Sequence, residues 1–183
     1  MTNTVAQTQI DIAVCTFRRP ELAETLHSLA LITVPADVAI RIIVADNDVT
    51  PSAEALVNQM RPTMPCEILY VHCPASNISI ARNACLDNST GHYLAFVDDD
   101  ETVSRTWLMQ LLDTAQTTGA DVVLGPVRAE YTLSAPNWMR RGDFHSTRPV
   151  WVDGEIRTGY TCNVLIDLTR PVVFNRRFNL ALG

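Results

Sequence analysis

Apolar residues are arranged along the chain in short runs, and most of these runs lack the alternation of a half-exposed strand. Four runs are rich in β-branched or aromatic residues: IDIAVC (10–15), IRIIVA (40–45), EILYVH (67–72) and YLAFV (93–97). Strands that are covered on both faces have this pattern. The four runs therefore predict strands of a parallel sheet.

Segments with helical periodicity separate the first three runs. Leu22, Leu26 and Leu29 recur at helical spacing behind Pro20, a residue that suits a first helical turn. After the second run, the Thr50–Pro51 pair predicts a helix cap followed by a helix-opening proline. Each of these two strands is thus followed by a predicted helix.

Two further helices follow the third and fourth runs. The third helix is predicted to begin after a cap at Ser76 or Asn77 and to bury a short apolar face. The fourth ends near Gly119, and its buried side is formed by Val103, Trp107, Leu108, Leu111, Leu112 and Ala115. Alternating strands and helices predict a three-layer α/β/α sandwich with a mostly parallel central sheet.

The last third of the chain has a different character. A fifth strand is predicted within ADVVLGPVRAEY (120–131), and a further strand within YTCNVLIDL (160–168). Between them, residues 133–159 contain prolines, tryptophans and charges without a clean period, which predicts a long excursion over the sheet edge. Trp138 and Trp151 in this excursion are equally compatible with stacking on a sugar and with packing.

Composition narrows the class of protein. The 183 residues are 47% hydrophobic and 19% charged, which is typical of one globular domain. The net charge of −6 and the absence of a basic run argue against a nucleic-acid partner. Neither a signal peptide nor a membrane-spanning run is recognisable, and five cysteines without C-x-x-C pairing predict free thiols. These features predict a cytoplasmic protein, with peripheral attachment to the inner face of the membrane left open.

Polar residues collect where the predicted strands end. TFRRP (16–20) follows the first strand, DND (46–48) the second, and DDD (98–100) the fourth. Ligands of open parallel sheets bind beyond the carboxyl ends of the strands. Adjacent carboxylates suit Mg²⁺ or Mn²⁺ together with a diphosphate. The alternatives are a helix N-terminus for the three aspartates, an Asx-rich turn at 46–48, and solvated or surface-paired arginines at Arg18, Arg19 and Arg82.

Other nucleotide or phosphate folds fit less well. The glycine motifs of dinucleotide-binding and P-loop proteins are absent from the chain. The segment YLAFVDDDET (93–102) matches the first motif of haloacid-dehalogenase phosphatases, with Asp98 as nucleophile and Asp100 as acid. That motif normally opens its fold, however, whereas here three strand–helix units precede it. The phosphatase also needs a later lysine, and the chain contains none.

Four segments together resemble glycosyltransferase family 2, which has an inverting mechanism and the GT-A fold. They are IDIAVCTFRRPELAETLHSL (10–29), IRIIVADNDVT (40–50), NISIARNACLDNSTGHYLAFVDDDE (77–101) and GYTCNVLIDLTRPVVFNRRF (159–178). The third contains the D-x-D motif, and the fourth ends in an F-[DN]-x-x-F segment. The resemblance covers the chain from about Asp11 to Gly183, with Arg18 where asparagine is more usual.

The resemblance implies roles on the donor side of the site. Thr16, Phe17 and Arg18 would line the nucleoside pocket, and Asp46 would contact the nucleobase. Arg82 would approach the nucleotide or hold the acidic loop.

It also implies roles for the three aspartates. Asp98 would meet the ribose or donor sugar and contribute to the metal site, and Asp100 would be the principal ligand of Mn²⁺ or Mg²⁺. Asp99 would be a secondary donor contact or a helix cap.

The implied reaction is metal-dependent transfer of a sugar, with inversion, from a nucleoside-diphosphate sugar to the hydroxyl of a saccharide or glycolipid acceptor. A UDP-sugar is favoured, because an aspartate can bond the edge of uracil. The chain is expected to form one domain, with residues 1–131 as the nucleotide-sugar-binding half and 132–183 as a partial acceptor-side half.

The resemblance places the catalytic base beyond Gly183, so no catalytic residue is identified within the chain. Asp143, Asp153 and Glu155 are possible substitutes that we do not adopt. The isolated chain is therefore expected to bind donor and metal but to transfer sugar slowly or not at all. A catalytically silent nucleotide-sugar-binding module is the alternative.

Overall fold

A computed structural model describes residues 7–183. The first six residues, part of the stretch in which no signal peptide is recognisable, lie outside the described residues. The elements are β1 Thr8–Thr16, α1 Leu22–Ala30, β2 Val38–Asp46, α2 Glu54–Met60, β3 Glu67–His72, α3 Ile78–Asn88, β4 Tyr93–Asp98, α4 Trp107–Thr118, β5 Val122–Leu124, α5 Asn137–Gly142, β6 Val150–Val152, β7 Glu155–Thr158 and β8 Asn163–Asp167, with short 3₁₀ turns at Arg61–Thr63 and Leu180–Leu182.

Six strands form the central sheet in the order β3-β2-β1-β4-β8-β5. Strands β1 to β4 are parallel, and β8 lies antiparallel between β4 and β5. Side chains of successive β1 residues enter two separate cores, with Val14 among residues of α1, α2 and α4, and Cys15 among residues of α3. The predicted three-layer sandwich with a mostly parallel sheet is confirmed.

The helices begin later than the sequence pattern predicts. The predicted cap at Thr50 and helix start at Pro51 are wrong, because α2 begins at Glu54. The buried Asp46 carboxylate accepts a hydrogen bond from the Ala53 amide at 2.8 Å and supplies the cap from another element. Pro20 also precedes its helix, which begins at Leu22.

Two other boundaries differ, and one cap is confirmed. Val103 lies in the loop before α4, where its amide donates to the Ser28 hydroxyl at 3.1 Å. The fifth strand is limited to Val122–Leu124. The Asn77 side chain caps α3 by accepting a hydrogen bond from the Ile80 amide, as predicted for one of the two candidate positions.

The excursion at 133–159 is more regular than its sequence suggests. It contains the short helix α5 and a hairpin formed by β6 and β7. Trp138 and Trp151 are both mostly exposed, so neither is a core residue. The strand predicted within residues 160–168 is confirmed as β8.

An aspartate at the amino end of the sheet is held entirely by the protein. Asp11 is buried, and its carboxylate accepts hydrogen bonds from Arg41 at 2.8 Å and from the Ser89 hydroxyl at 2.7 Å. The amides of Thr90 and Gly91 donate to the same carboxylate. Burial alone raises the pKa of Asp11, but these four donors outweigh it and lower the pKa below its usual value.

The five cysteines are free thiols, as predicted. Among the described residues, no helix has the length and apolar character needed to cross a membrane.

Candidate functional site

The strand ends meet at one edge of the sheet. Register places Thr16 beside Asp46 and Cys15 beside Asp98. The Asn47 amide donates to the Thr16 carbonyl at 2.9 Å, which joins the turns that follow β1 and β2. The predicted convergence of three chain segments at the carboxyl ends of the strands is therefore confirmed.

A crevice of about 310 Å³ opens at this edge. It is lined by Cys15, Thr16, Phe17, Arg19, Asn47, Ser76, Ile78 and Asp99. Three of these residues, Thr16, Phe17 and Asp99, are predicted site residues. The Thr16 hydroxyl oxygen is buried. No hydrogen bond to it meets the usual geometric limits among the described residues, but it lies beside the Asp99 carboxyl and lowers the pKa of that group. A buried hydroxyl without a well-formed hydrogen bond can be satisfied by a polar ligand atom in the crevice.

The sequence predicts that Asp46, at the end of the second strand, contacts the ligand. The crevice is instead lined by its neighbour Asn47. The Asp46 carboxylate points into the protein, where it accepts hydrogen bonds from the Asp48 amide and from the Tyr70 hydroxyl in addition to Ala53. The side-chain amide of Asn47 donates a hydrogen bond to the Cys73 carbonyl, which fixes its orientation. The predicted contact between Asp46 and the nucleobase stays a prediction, and its carboxylate is already occupied by protein donors.

Arg18 lies at the outer edge of the site rather than in the crevice lining. Its backbone adopts the left-handed conformation, with φ of 55°, which is uncommon for a residue other than glycine. The guanidinium contacts Asp48 at 2.8 Å and lowers the pKa of that carboxyl. The adjacent Arg19, for which a solvated position was one of the alternatives, lines the crevice instead.

Four acidic residues stand in succession where β4 ends, from Asp98, its last residue, to Glu101. Asp99 accepts a hydrogen bond from the Phe17 amide at 3.4 Å, and Arg19 lies 3.5 Å from Asp100. Burial raises the pKa of both Asp98 and Asp99. Burial and the charge of Asp98 raise the pKa of Glu101 to about 7. The described surroundings therefore leave this loop short of positive charge.

The acidic loop contains donor atoms that fit a divalent cation. Carboxylate oxygens of Asp98 and Glu101 and the Cys162 sulfur all lie within 4.8 Å of one another. The Asp100 side chain is 43% exposed and is available from solvent. Several carboxylates without enough protein cations are the chemistry that Mg²⁺ or Mn²⁺ requires. Sequence reasoning missed Glu101 and Cys162, because Cys162 is brought to the loop only by the antiparallel strand β8.

Arg82 of α3 is the second cation of this region. Its positive charge acts on the Asp98 carboxyl and opposes the rise in the pKa that burial causes. The guanidinium carbon lies 5.5 Å from the centroid of the Phe178 ring.

The excursion stays away from the crevice in the described part of the chain. None of the residues that line the crevice comes from 132–159. Asp143 ends α5, where it accepts a hydrogen bond from the Ser146 hydroxyl, and Asp153 lies in the β6–β7 turn. Neither these two residues nor Glu155 is assigned a catalytic role.

Comparison with known proteins identifies the class. The sequence profile described as "Glycosyl transferase family 2" matches residues 11–169. The chain therefore belongs to glycosyl transferase family 2, as the resemblance implies.

Two named relatives are similar in sequence. The succinoglycan biosynthesis protein ExoM of Rhizobium meliloti (strain 1021) is 68% identical over 174 residues, which are 95% of this chain and 56% of that protein. Glycosyltransferase GlyA of Streptococcus pneumoniae serotype 4 is 30% identical over 83 residues, which are 45% of this chain and 12% of that protein. The chain thus spans little more than half the length of ExoM.

Solved structures share the fold. S. aureus TarS 1–349 in complex with UDP matches with a TM-score of 0.70 and 18% identity, covering 96% of this chain and 51% of that chain. The mannosyltransferase PcManGT from Pyrobaculum calidifontis in complex with GDP-Man and Mn²⁺ matches with a TM-score of 0.51 and 22% identity, covering 69% and 36%. These matches confirm the GT-A fold.

Proposed function

We propose that the crevice binds a nucleoside-diphosphate sugar together with a divalent cation. The chain would thereby provide the donor site of a glycosyltransferase that transfers a sugar, with inversion, to an acceptor hydroxyl. The single observation that carries the proposal is the position of the buried Thr16 hydroxyl and of the four acidic residues Asp98–Glu101 at one sheet edge.

The nucleoside is proposed to lie in the crevice against Thr16 and Phe17, with Arg18 at the outer edge. Asp46 would act from behind, by fixing the turn that presents Asn47 to the ligand. A UDP-sugar stays the favoured donor. The named complexes of two structural neighbours contain UDP and GDP-Man, and their low identity leaves the base of this chain's donor as a proposal.

The diphosphate is proposed to lie toward the acidic loop. Asp100 and Asp98 would hold Mn²⁺ or Mg²⁺, with Asp99 as a secondary donor contact. When bound, such an ion supplies Lewis-acid neutralisation of the diphosphate leaving group. Arg19 and Arg82 add positive charge close to these carboxylates. The side chains at this edge of the sheet would hold the reacting groups in a fixed orientation.

The acceptor hydroxyl would attack the anomeric carbon from the face opposite the diphosphate, while a carboxylate takes its proton. No residue of the chain is assigned that last role. A saccharide or glycolipid acceptor in polysaccharide synthesis is proposed because the relative ExoM is named for succinoglycan biosynthesis. A cytoplasmic location agrees with the five free thiols, and association with the membrane face stays a prediction.

The Asp100→Ala variant tests the metal site. Truncating a charge that contacts a bound partner costs about 2–5 kcal/mol, so UDP binding in the presence of Mn²⁺ should weaken about thirtyfold or more. Isothermal titration calorimetry measures the affinity. Asp113→Ala is the matched control, because Asp113 is an exposed aspartate of α4 and should leave binding unchanged. Unchanged binding by Asp100→Ala would overturn the metal assignment.

A transfer assay tests whether the isolated chain has a catalytic base of its own. The donor site of a larger enzyme and the alternative, a silent nucleotide-sugar-binding module, are both expected to transfer little or no sugar in this assay. The isolated chain is expected to bind UDP while releasing little or no UDP from a UDP-sugar in the presence of saccharide acceptors. Robust turnover would contradict the expectation that the catalytic base lies outside this chain. The phosphatase alternative is set aside, because the matching family consists of glycosyl transferases.

A further inference from the structure

The segment after β8 returns along α3, where Phe178 is held by hydrogen bonds to that helix. The Phe178 amide donates to the Asn83 side chain at 2.8 Å, and the Asn83 amide donates to the Phe178 carbonyl at 3.0 Å. Arg177 and Asp87 form an ion pair at 2.7 Å on one side of this contact. The backbone of Phe178 is therefore fixed to α3 by reciprocal hydrogen bonds.

The Phe178 ring connects α3 with the strand that carries the acidic loop. It packs edge-to-face on Phe96, with ring centroids 5.9 Å apart and an interplanar angle of 82°. Phe96 belongs to β4 and precedes Asp98 by two positions, so both side chains point to the same face of the strand. The ring thus lies between the helix of Arg82 and the strand of Asp98.

The face of the same ring supports the Arg82 guanidinium. The 5.5 Å distance from the guanidinium carbon to the ring centroid is within the range of a cation–π interaction. Arg82 is half-buried, and the ring that it contacts also packs on Phe96, two residues before Asp98. A long arginine side chain has many rotamers, and a supporting ring restricts them to those that face the acidic loop.

We propose that Phe178 is a positioning residue for the donor site, acting through Arg82. Its ring holds the guanidinium toward Asp98 and hence toward the diphosphate and its cation. This inference rests on the proposed function. Without the ring, Arg82 turns to solvent for a larger share of the time, and metal-dependent UDP binding weakens.

The Phe178→Leu variant removes the aromatic face and keeps an apolar side chain. UDP binding in the presence of Mn²⁺ should weaken about fivefold, the size expected for a partly desolvated cation–π contact. Phe178→Tyr keeps the ring and should bind within about twofold of the wild type. Phe174→Leu is the matched control, because that phenylalanine belongs to the same segment but is 68% exposed.

A double-mutant cycle with Arg82→Gln separates positioning from a purely structural role. In the Arg82→Gln background, Phe178→Leu should have little further effect on UDP binding, because the group that the ring holds is gone. An equal fivefold loss in both backgrounds would show that the ring acts through packing alone and would overturn the proposal. So would unchanged binding by Phe178→Leu in the wild-type background.

Two further outcomes are interpretable. If Phe178→Leu does not fold, Phe178→Met replaces it in the cycle, since methionine fills aromatic space without an aromatic ring. If the wild-type chain itself does not bind UDP with Mn²⁺, the proposed function fails, and this result is distinct from a failed cycle in a chain that binds.

Discussion

Carboxylates lie at both ends of the parallel strands, and the protein holds Asp11 at the amino end of β1 differently from the acidic residues at the carboxyl end of β4. At the amino end, Asp11 has four hydrogen-bond donors, including Arg41, and its pKa is lowered. At the carboxyl end, burial raises the pKa of Asp98, Asp99 and Glu101. All four groups are carboxyl groups, so the difference comes from the local donors around Asp11 and from the like charges that surround Asp98, Asp99 and Glu101.

The comparison separates a structural carboxylate from one that is available to a ligand. A carboxylate with a full set of protein donors is stable as an anion and has no capacity left for a cation. One that is buried without such donors destabilises the folded state unless a cation or proton neutralises it. The carboxyl end therefore has a cost in stability that bound metal would offset, and this distinction can be tested.

The largest effect is expected at the amino end. Asp11→Asn removes the charge that pairs with Arg41, and breaking a buried ion pair from one side should lower the free energy of unfolding by about 3 kcal/mol. Urea denaturation measures this change. The matched control is Asp37→Asn, an exposed aspartate whose substitution should stay within about 0.5 kcal/mol. A stable Asp11→Asn variant would remove the contrast between the two ends.

A smaller effect of opposite sign is expected at the carboxyl end. The pKa of Glu101 is about 7 in the folded chain and 4.5 ordinarily, so the folded state binds the proton more tightly than the unfolded state. The free energy of unfolding therefore falls as pH rises from about 4.5 to about 7. Glu101→Gln should remove this fall and stabilise the chain by about 1 kcal/mol at pH 8, after allowance for partial solvent exposure.

Urea denaturation without metal, at pH 4 and pH 8, checks the Glu101 prediction. Wild type and Glu101→Gln should have similar stability at pH 4, where the glutamate is mostly protonated in both states. Destabilisation by Glu101→Gln at pH 8 would mean that the carboxylate already has adequate partners, as Asp11 has.

The smallest effect on stability is expected for Thr16→Val. The hydroxyl has no well-formed hydrogen bond among the described residues beyond its weak interaction with Asp99, so its removal should change the free energy of unfolding by less than about 1 kcal/mol. UDP binding should weaken about three- to tenfold if the ligand provides the missing hydrogen bond. Thr25→Val is a matched control, because its buried hydroxyl also lacks a well-formed hydrogen bond but belongs to α1, outside the crevice lining. Equal UDP binding by both variants would contradict the role of Thr16.

The sequence predicts the sheet well, because burial on both faces gives the inner strands β1, β2 and β4 their continuous apolar runs. It also predicts that Thr16, Asp46 and Asp98 share an edge, since parallel strands align their carboxyl ends. The sequence alone could not predict that Asn47, rather than Asp46, lines the crevice. It depends on the backbone of the turn and on donors such as Tyr70, which belongs to a different strand.

Contacts between segments that are far apart in the chain could not be predicted from the sequence either. The proximity of Cys162 to Glu101 depends on β8 pairing antiparallel with β4. The Phe178–Arg82 contact depends on the path of the chain back along α3. Neither contact is indicated by a local pattern of apolar and polar residues.

Every role proposed above requires that nucleotide and metal bind together at the shared edge of the sheet. Crystals of the chain soaked with UDP and Mn²⁺, with diffraction measured at a wavelength where manganese scatters anomalously, test this directly. We expect one anomalous peak at the carboxylates of Asp98 and Asp100 and uridine density in the crevice beside Thr16 and Asn47. Ordered UDP elsewhere on the chain, with no manganese at the acidic loop, would contradict the account.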